Sequence, residues 1–122
     1  MKTALIVDDS ATIRRFVRSV MEGLGFACCE AADGAQALTI CQDYMPTLIV
    51  LDWEMPVLDG LAFATALRAQ PDGAIPKILF CTTHNDMAHI EKALGAGADE
   101  YVMKPFDREI IELKLRDVGL VS

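Results

Sequence analysis

Short apolar runs alternate with segments of helical period five times along this chain, and the strong runs end in polar chemistry on the same side. Ala4 to Val7 is closed by Asp8 and Asp9, and Leu48 to Leu51 by Asp52. Lys77 to Cys81 is closed by Thr82, and Glu100 to Met103 by Lys104-Pro105. Phe26 to Cys29 reads as a weaker second run. Continuous apolar runs this short predict strands buried on both faces. Strands that alternate with helices predict an α/β chain, a parallel sheet covered on both sides. In such a sheet the carboxyl ends of all strands share one edge. Ligands sit beyond that edge, where the winding direction reverses. The rule puts Asp8, Asp9 and Asp52 in one crevice, with Thr82 and Lys104 beside it.

The segments between the runs read as helices. Ile13, Phe16, Val17, Val20, Met21 and Leu24 step by three and four, which predicts one buried face. Gly23 and Gly25 end that helix. Ala32-Asp33-Gly34 is a turn, and Ala35 to Tyr44 a helix stopped before Pro46. Asp59 is the expected cap of a helix from Leu61 to Ala69. Asn85 or Asp86 caps the helix that carries Met87, Ile90 and Leu94. The last helix runs from about Asp107 to Asp117. Its Ile110, Ile111, Leu113 and Leu115 span more than one face; full burial under the sheet is preferred to a partner or dimer surface.

Composition narrows the classes. The chain has 122 residues, of which 52% are hydrophobic, enough for one well-buried domain over residues 1–122. No apolar stretch approaches the roughly 18 residues needed to span a bilayer. The run after Met1-Lys2-Thr3 is too short for a signal peptide. A cytoplasmic protein without membrane insertion is expected. Cys28, Cys29, Cys41 and Cys81 have no zinc-ligand spacing and read as reduced, buried thiols. The formal net charge of −7 argues against a grip on nucleic-acid phosphates.

Clustered carboxylates repel, so they need a counter-charge. Lys104 supplies one and a divalent cation another. Magnesium takes one or two carboxylates plus a phosphate, whereas calcium wants more oxygen ligands and zinc wants His or Cys. An aspartate can also attack phosphorus and form an acyl phosphate. The transferring group needs mainly positioning and charge neutralisation, which a cation, Lys104 and the Thr82 hydroxyl provide.

The ordered set Val7-Asp8-Asp9-Ser10, Leu51-Asp52-Trp53-Glu54-Met55-Pro56, Asp59-Gly60, Thr82 and Lys104-Pro105-Phe106 resembles the receiver domain of bacterial response regulators. The likeness covers essentially the whole chain. Gly95-Ala96-Gly97-Ala98-Asp99-Glu100-Tyr101 extends it, and Ser10-Ala11-Thr12-Ile13-Arg14-Arg15 brings it close to the CheY-like branch. The resemblance implies a flavodoxin-like (βα)5 doubly wound parallel sheet of strand order 2-1-3-4-5. It implies Asp52 as phosphoacceptor, fed by a histidine kinase or a histidine phosphotransfer protein. Asp9, Asp52 and the backbone carbonyl of Glu54 would hold Mg2+, with Asp8 acting through water. Lys104 would contact the phosphoryl oxygens, and its bond to Pro105 would be cis. Thr82 and Tyr101 would form a switch that alters the face of the fourth helix, fifth strand and fifth helix, where a downstream protein binds.

Three positions are expected to tune rates. Glu54, two residues past Asp52, would repel an incoming phosphate. Thr83 stands where the family more often carries Ala or Gly, and would narrow access. His84 would line the path of the hydrolytic water; the competing expectation is a solvent-facing loop histidine. The chain ends at Gly119-Leu120-Val121-Ser122, which reads as a stand-alone receiver without an effector domain, monomeric or weakly dimeric, with chemotaxis as one output. The alternatives are a receiver-like interaction module independent of phosphorylation, and a small Mg-dependent phosphohydrolase with an Asp nucleophile.

Overall fold

The computed structural model describes residues 2–121; Met1 and Ser122 lie outside them. The elements alternate as expected: β1 Thr3–Val7, α1 Ala11–Gly23, β2 Ala27–Ala31, α2 Gly34–Asp43, β3 Leu48–Asp52, α3 Gly60–Arg68, β4 Lys77–Thr82, α4 Met87–Gly95, β5 Glu100–Met103 and α5 Arg108–Asp117. The five strands are parallel, in the order β2-β1-β3-β4-β5. β1 and β3 are neighbours in the sheet, yet their chains leave toward opposite faces. The crevice rule therefore applies at their carboxyl ends.

Two apolar layers follow from the period-2 alternation of strand side chains. Leu5, Val7, Ile49, Leu51, Ile78 and Phe80 join Phe63, Leu67 and Ala93 on the face covered by α2, α3 and α4. Ala4, Ile6, Leu48, Val50 and Leu79 join Val17, Val20, Met21, Ile111 and Leu115 on the face covered by α1 and α5. Every helix has a side-chain cap. Ser10, Asp33, Asp59, Asp86 and Asp107 each accept a hydrogen bond from the backbone N–H three residues on. Asp86, not Asn85, is the cap of α4. Gly60 is required by close approach: a Cβ there would lie 2.2 Å from the carbonyl oxygen of Asp52.

Some expectations are corrected. β2 begins and ends later than predicted, because Phe26 is drawn into the core as a buried side chain before the strand starts. Phe16 lies on the helical stripe but is 43% exposed; α1 buries Val17, Val20 and Met21 instead. Cys41 and Cys81 are buried, whereas Cys28 and Cys29 on the sheet edge are half-buried. Desolvation pushes all four thiols up, Cys41 to about 11. Ile111 and Leu115 are buried under the sheet, but Ile110 and Leu113 are exposed, so α5 is not fully covered.

Candidate functional site

Register brings the polar residues together. Val7 pairs with Leu51, so Asp8 and Asp52 stand side by side at the ends of β1 and β3. Asp52 pairs with Cys81, which sets Thr82 one residue further out on β4. Thr82 pairs with Met103, and Lys104 follows immediately. The backbone N–H of Lys104 donates to the Thr82 carbonyl at 2.8 Å. The peptide bond between Lys104 and Pro105 is cis.

Among the described residues, the buried polar or charged ones are Asp8, Asp52 and Thr82, all at this edge. Buried polar groups need partners, and each has one. Lys104 Nζ donates to Asp52 Oδ1 at 2.7 Å and to Asp8 Oδ2 at 3.3 Å. Asp8 Oδ1 accepts from the Ser10 N–H at 2.8 Å. Thr82 Oγ1 accepts from the His84 N–H at 2.9 Å. Asp9 is exposed at the rim, and one oxygen from each of Asp8, Asp9 and Asp52 lies within 4.8 Å of the others.

One amine thus faces three carboxylates. Burial pushes the Asp52 carboxyl above its ordinary range; the Lys104 hydrogen bond opposes this, and the Asp8 and Asp9 charges add to it. Burial also draws the Lys104 ammonium down. Its bond to Asp52 and the charges of Asp52 and Asp8 outweigh that and leave it raised. The lysine is therefore held charged, and a surplus of negative charge remains. All the donors are hard carboxylate oxygens, with no His or Cys in the set. That chemistry fits magnesium and does not fit zinc.

A cleft of about 220 Å³ opens over these groups, lined by Asp9, Asp52, Trp53, Glu54, Thr82, Thr83 and Lys104. Tyr101 stands apart from it. The ring packs half-buried against the core, and Lys114 Nζ lies 5.0 Å from its centroid. His84 is a half-exposed loop residue tied to two neighbours. It is not among the residues that line the cleft, nor is it fully solvent-facing. Its Nε2 lies 2.9 Å from Glu54 Oε1, and its ring stacks on His89 with centroids 3.9 Å apart. Both rings meet Trp53 edge-on.

Two further features were not anticipated. Arg14 Nη1 donates to the Asp8 carbonyl oxygen at 2.6 Å while its Nε donates to Glu30, so a helix residue fixes the backbone that presents the acids. Its place off the apolar stripe of α1 was the available signal. Beside the cleft lies an apolar groove of about 350 Å³ formed by Thr12, Ile13, Phe16, Thr83, Lys104, Pro105 and Phe106. The exposed Phe16 ring lies there, 6.3 Å from Phe106.

Residues 4–116 match the response regulator receiver domain. The chain belongs to that family. The chemotaxis response regulator CheY4 of Vibrio cholerae is 33% identical, with a TM-score of 0.91 over 97% of this chain and 98% of that one. A probable transcriptional regulator, ycf27, of Cyanophora paradoxa is 41% identical over 96% of this receiver and 48% of its own length. The DNA-binding response regulator MtrA of Mycobacterium tuberculosis is 35% identical over 92% of this chain and 48% of its own length. The receiver spans about half the length of the curated relatives it matches. The net charge of −7 therefore describes only these 122 residues. No helix of the described residues is long and apolar enough to cross a membrane.

Proposed function

We propose that Asp52 takes a phosphoryl group from a phosphohistidine on a histidine kinase or histidine phosphotransfer protein. The supporting observation is the pairing of a buried Asp52 with Lys104 at 2.7 Å inside a cleft that keeps surplus negative charge. A carboxylate oxygen of Asp52 attacks phosphorus. The phosphorus–nitrogen bond breaks, and its electron pair returns to the imidazole, which is left neutral or takes up a proton. Lys104, already aimed at Asp52, stabilises the equatorial oxygens. Asp9, Asp52 and the Glu54 carbonyl, with Asp8 acting through water, would hold Mg2+, which would supply the remaining charge neutralisation. The apolar groove around Phe16 and Phe106 adjoins the cleft and suits the apolar face of the phosphodonor's helix.

The acyl phosphate is a signal, not a turnover intermediate; the receiver loads itself and later hydrolyses its own phosphate. Thr82 leaves the His84 N–H, a bond worth about 0.5–1.5 kcal/mol net, and donates to a phosphoryl oxygen. Tyr101 moves inward behind it. The α4-β5-α5 face changes as a population shift. Met87 and Leu94 on α4 and Ile110 and Leu113 on α5 are exposed there, where a downstream protein would dock. Chemotaxis would follow the likeness to CheY4, and transcription the likeness to ycf27 and MtrA; the phosphoacceptor step is common to both. Glu54, Thr83 and, through Glu54, His84 set rates at the rim. Glu54→Asn is expected to change phosphate uptake from small donors; unchanged uptake and loss rates would remove Glu54 from this role.

The test incubates wild type and Asp52→Asn with Mg2+ and acetyl phosphate or a phosphorylated kinase. The expected result is an acid-stable, alkali-labile adduct on wild type alone. Many turnovers of substrate would indicate a phosphohydrolase. No adduct from any donor, with partner binding intact, would indicate an interaction module independent of phosphorylation.

A further inference from the structure

A second set of ligand atoms lies outside the acidic pocket, across its rim. His84 leaves the loop after β4, Asp86 caps α4, and His89 sits in the first turn of that helix. One ligand atom from each lies within 4.8 Å of the other two. His89 Nδ1 is 2.6 Å from Asp86 Oδ1. Glu54 arrives from the loop after β3 and brings a second carboxylate to 2.9 Å from His84 Nε2. Two imidazoles and two carboxylates are thus gathered from two segments, the loop after β3 and the stretch that leads from β4 into α4, each residue half-exposed or exposed and open to a small ion.

We propose that His84, Asp86 and His89, with Glu54 as fourth ligand, form a site for a borderline divalent transition metal, zinc above all. The donor types decide the class. An N2O2 set of imidazoles and carboxylates suits zinc, and also nickel or copper, but not magnesium. The ion thereby differs in kind from the one the aspartate pocket fits, so the two sites do not compete. Ligands of a tetrahedral zinc at about 2.0–2.2 Å stand roughly 3.4 Å apart. The ligand atoms of His84, Asp86 and His89, already within 4.8 Å of one another, close to that spacing by side-chain rotation, and Glu54 Oε1 stands 2.9 Å from His84 Nε2. The rings are nearly parallel, 9° between planes, and a metal lies in the plane of each imidazole it binds. Binding therefore opens the stack. Trp53 touches both rings, at 5.4 and 5.3 Å between centroids, and reports the change. An ion there ties the loop of Glu54 to the loop after Thr82 and to α4, the segments that border the cleft of Asp52.

The inference does not depend on phosphorylation, and the test is run without a phosphodonor. Tag-free protein saturated with Mg2+ is titrated with Zn2+ by calorimetry and with Co2+ by visible absorption. The expected result is one zinc per chain, a tetrahedral cobalt spectrum without thiolate charge transfer, and a change in Trp53 emission. His84→Ala and His89→Ala should each weaken zinc by at least about tenfold, while Asp9→Asn and Asp52→Asn leave it unchanged. His89→Gln serves where His84→Ala perturbs the fold. Zinc binding indifferent to the histidine variants, lost in Asp9→Asn, or carrying a thiolate band from Cys28 or Cys29 would overturn the proposal. No zinc binding in the wild type would also overturn it, leaving a helix cap with stacked rings.

Discussion

Two charged clusters in this molecule sit a few residues apart and behave oppositely. Over α1 and β2, Glu30 accepts from Arg14 at 3.0 Å and Arg18 at 2.9 Å, and Arg18 also reaches Glu22 at 3.2 Å. Two cations meet two anions near the surface. The Glu30 carboxyl is held below its ordinary range, chiefly by the Arg18 hydrogen bond. At the strand ends three carboxylates meet one amine in a buried cleft, and burial pushes Asp52 above its range. Both are ionic clusters, but only the second is left short of positive charge. Balance makes a brace, and imbalance makes a site that seeks a cation and tolerates new chemistry. Arg14 belongs to both, since it holds Glu30 with one nitrogen and the Asp8 carbonyl with another.

The contrast can be broken most severely at Lys104. Lys104→Ala leaves the three acids with no lysine, and phosphoryl uptake should fall by about 10²–10³-fold, read as the rate of adduct formation. A change under about twofold would mean that neutralisation does not limit the reaction.

Asp52→Asn should stabilise the metal-free fold at neutral pH, because it takes one of three mutually repelling carboxylates out of a buried cleft while Lys104 keeps Asp8 as a partner. The sign follows from linkage. A carboxyl raised in the folded state contributes stability below its unfolded value of 3.8, and loses it as pH rises through the folded value. The advantage of the variant should therefore be absent in acid and open as pH rises past that window. A variant less stable than wild type at neutral pH would mean that Lys104 fully compensates the buried charge.

Thr83→Ala sharpens the picture of the rim. It should speed dephosphorylation by less than about tenfold, under about 1.4 kcal/mol, measured as decay of the adduct. Glu30→Gln should have the smallest effect, a loss of at most about 1 kcal/mol after solvent screening. Its pH dependence runs the other way. A carboxyl lowered in the folded state contributes above its unfolded value of 4.5, and the contribution fades as pH falls through the lowered folded value. Chemical denaturation across acid to neutral pH checks both carboxylates together. Parallel curves would erase the distinction between brace and site.

The convergence of Asp8, Asp52, Thr82 and Lys104 was legible because strand ends in a parallel sheet share an edge, and apolar runs mark those ends without ambiguity. Asp59 as a cap was legible from local chemistry alone. Features that depend on where neighbours leave room were hidden. Phe16 fits the helical period of α1, yet it lies beside the loop carrying Phe106 and stays exposed. Leu113 fits a buried stripe of α5, but the sheet is already covered by Ile111 and Leu115. The pairing of His84 with Glu54 joins residues 30 apart in sequence through two loops, and no periodicity announces it. Half-buried Cys28 and Cys29 follow from β2 being an edge strand, which depends on strand order.

Thermal unfolding in EDTA and in saturating Mg2+ tests most directly whether the acid pocket is charge-deficient and the arginine brace is not. The melting temperature of wild type should rise with Mg2+, and the rise should survive Glu30→Gln and disappear in Asp9→Asn. A wild-type melting temperature indifferent to Mg2+, or an equal rise in Asp9→Asn, would contradict the account.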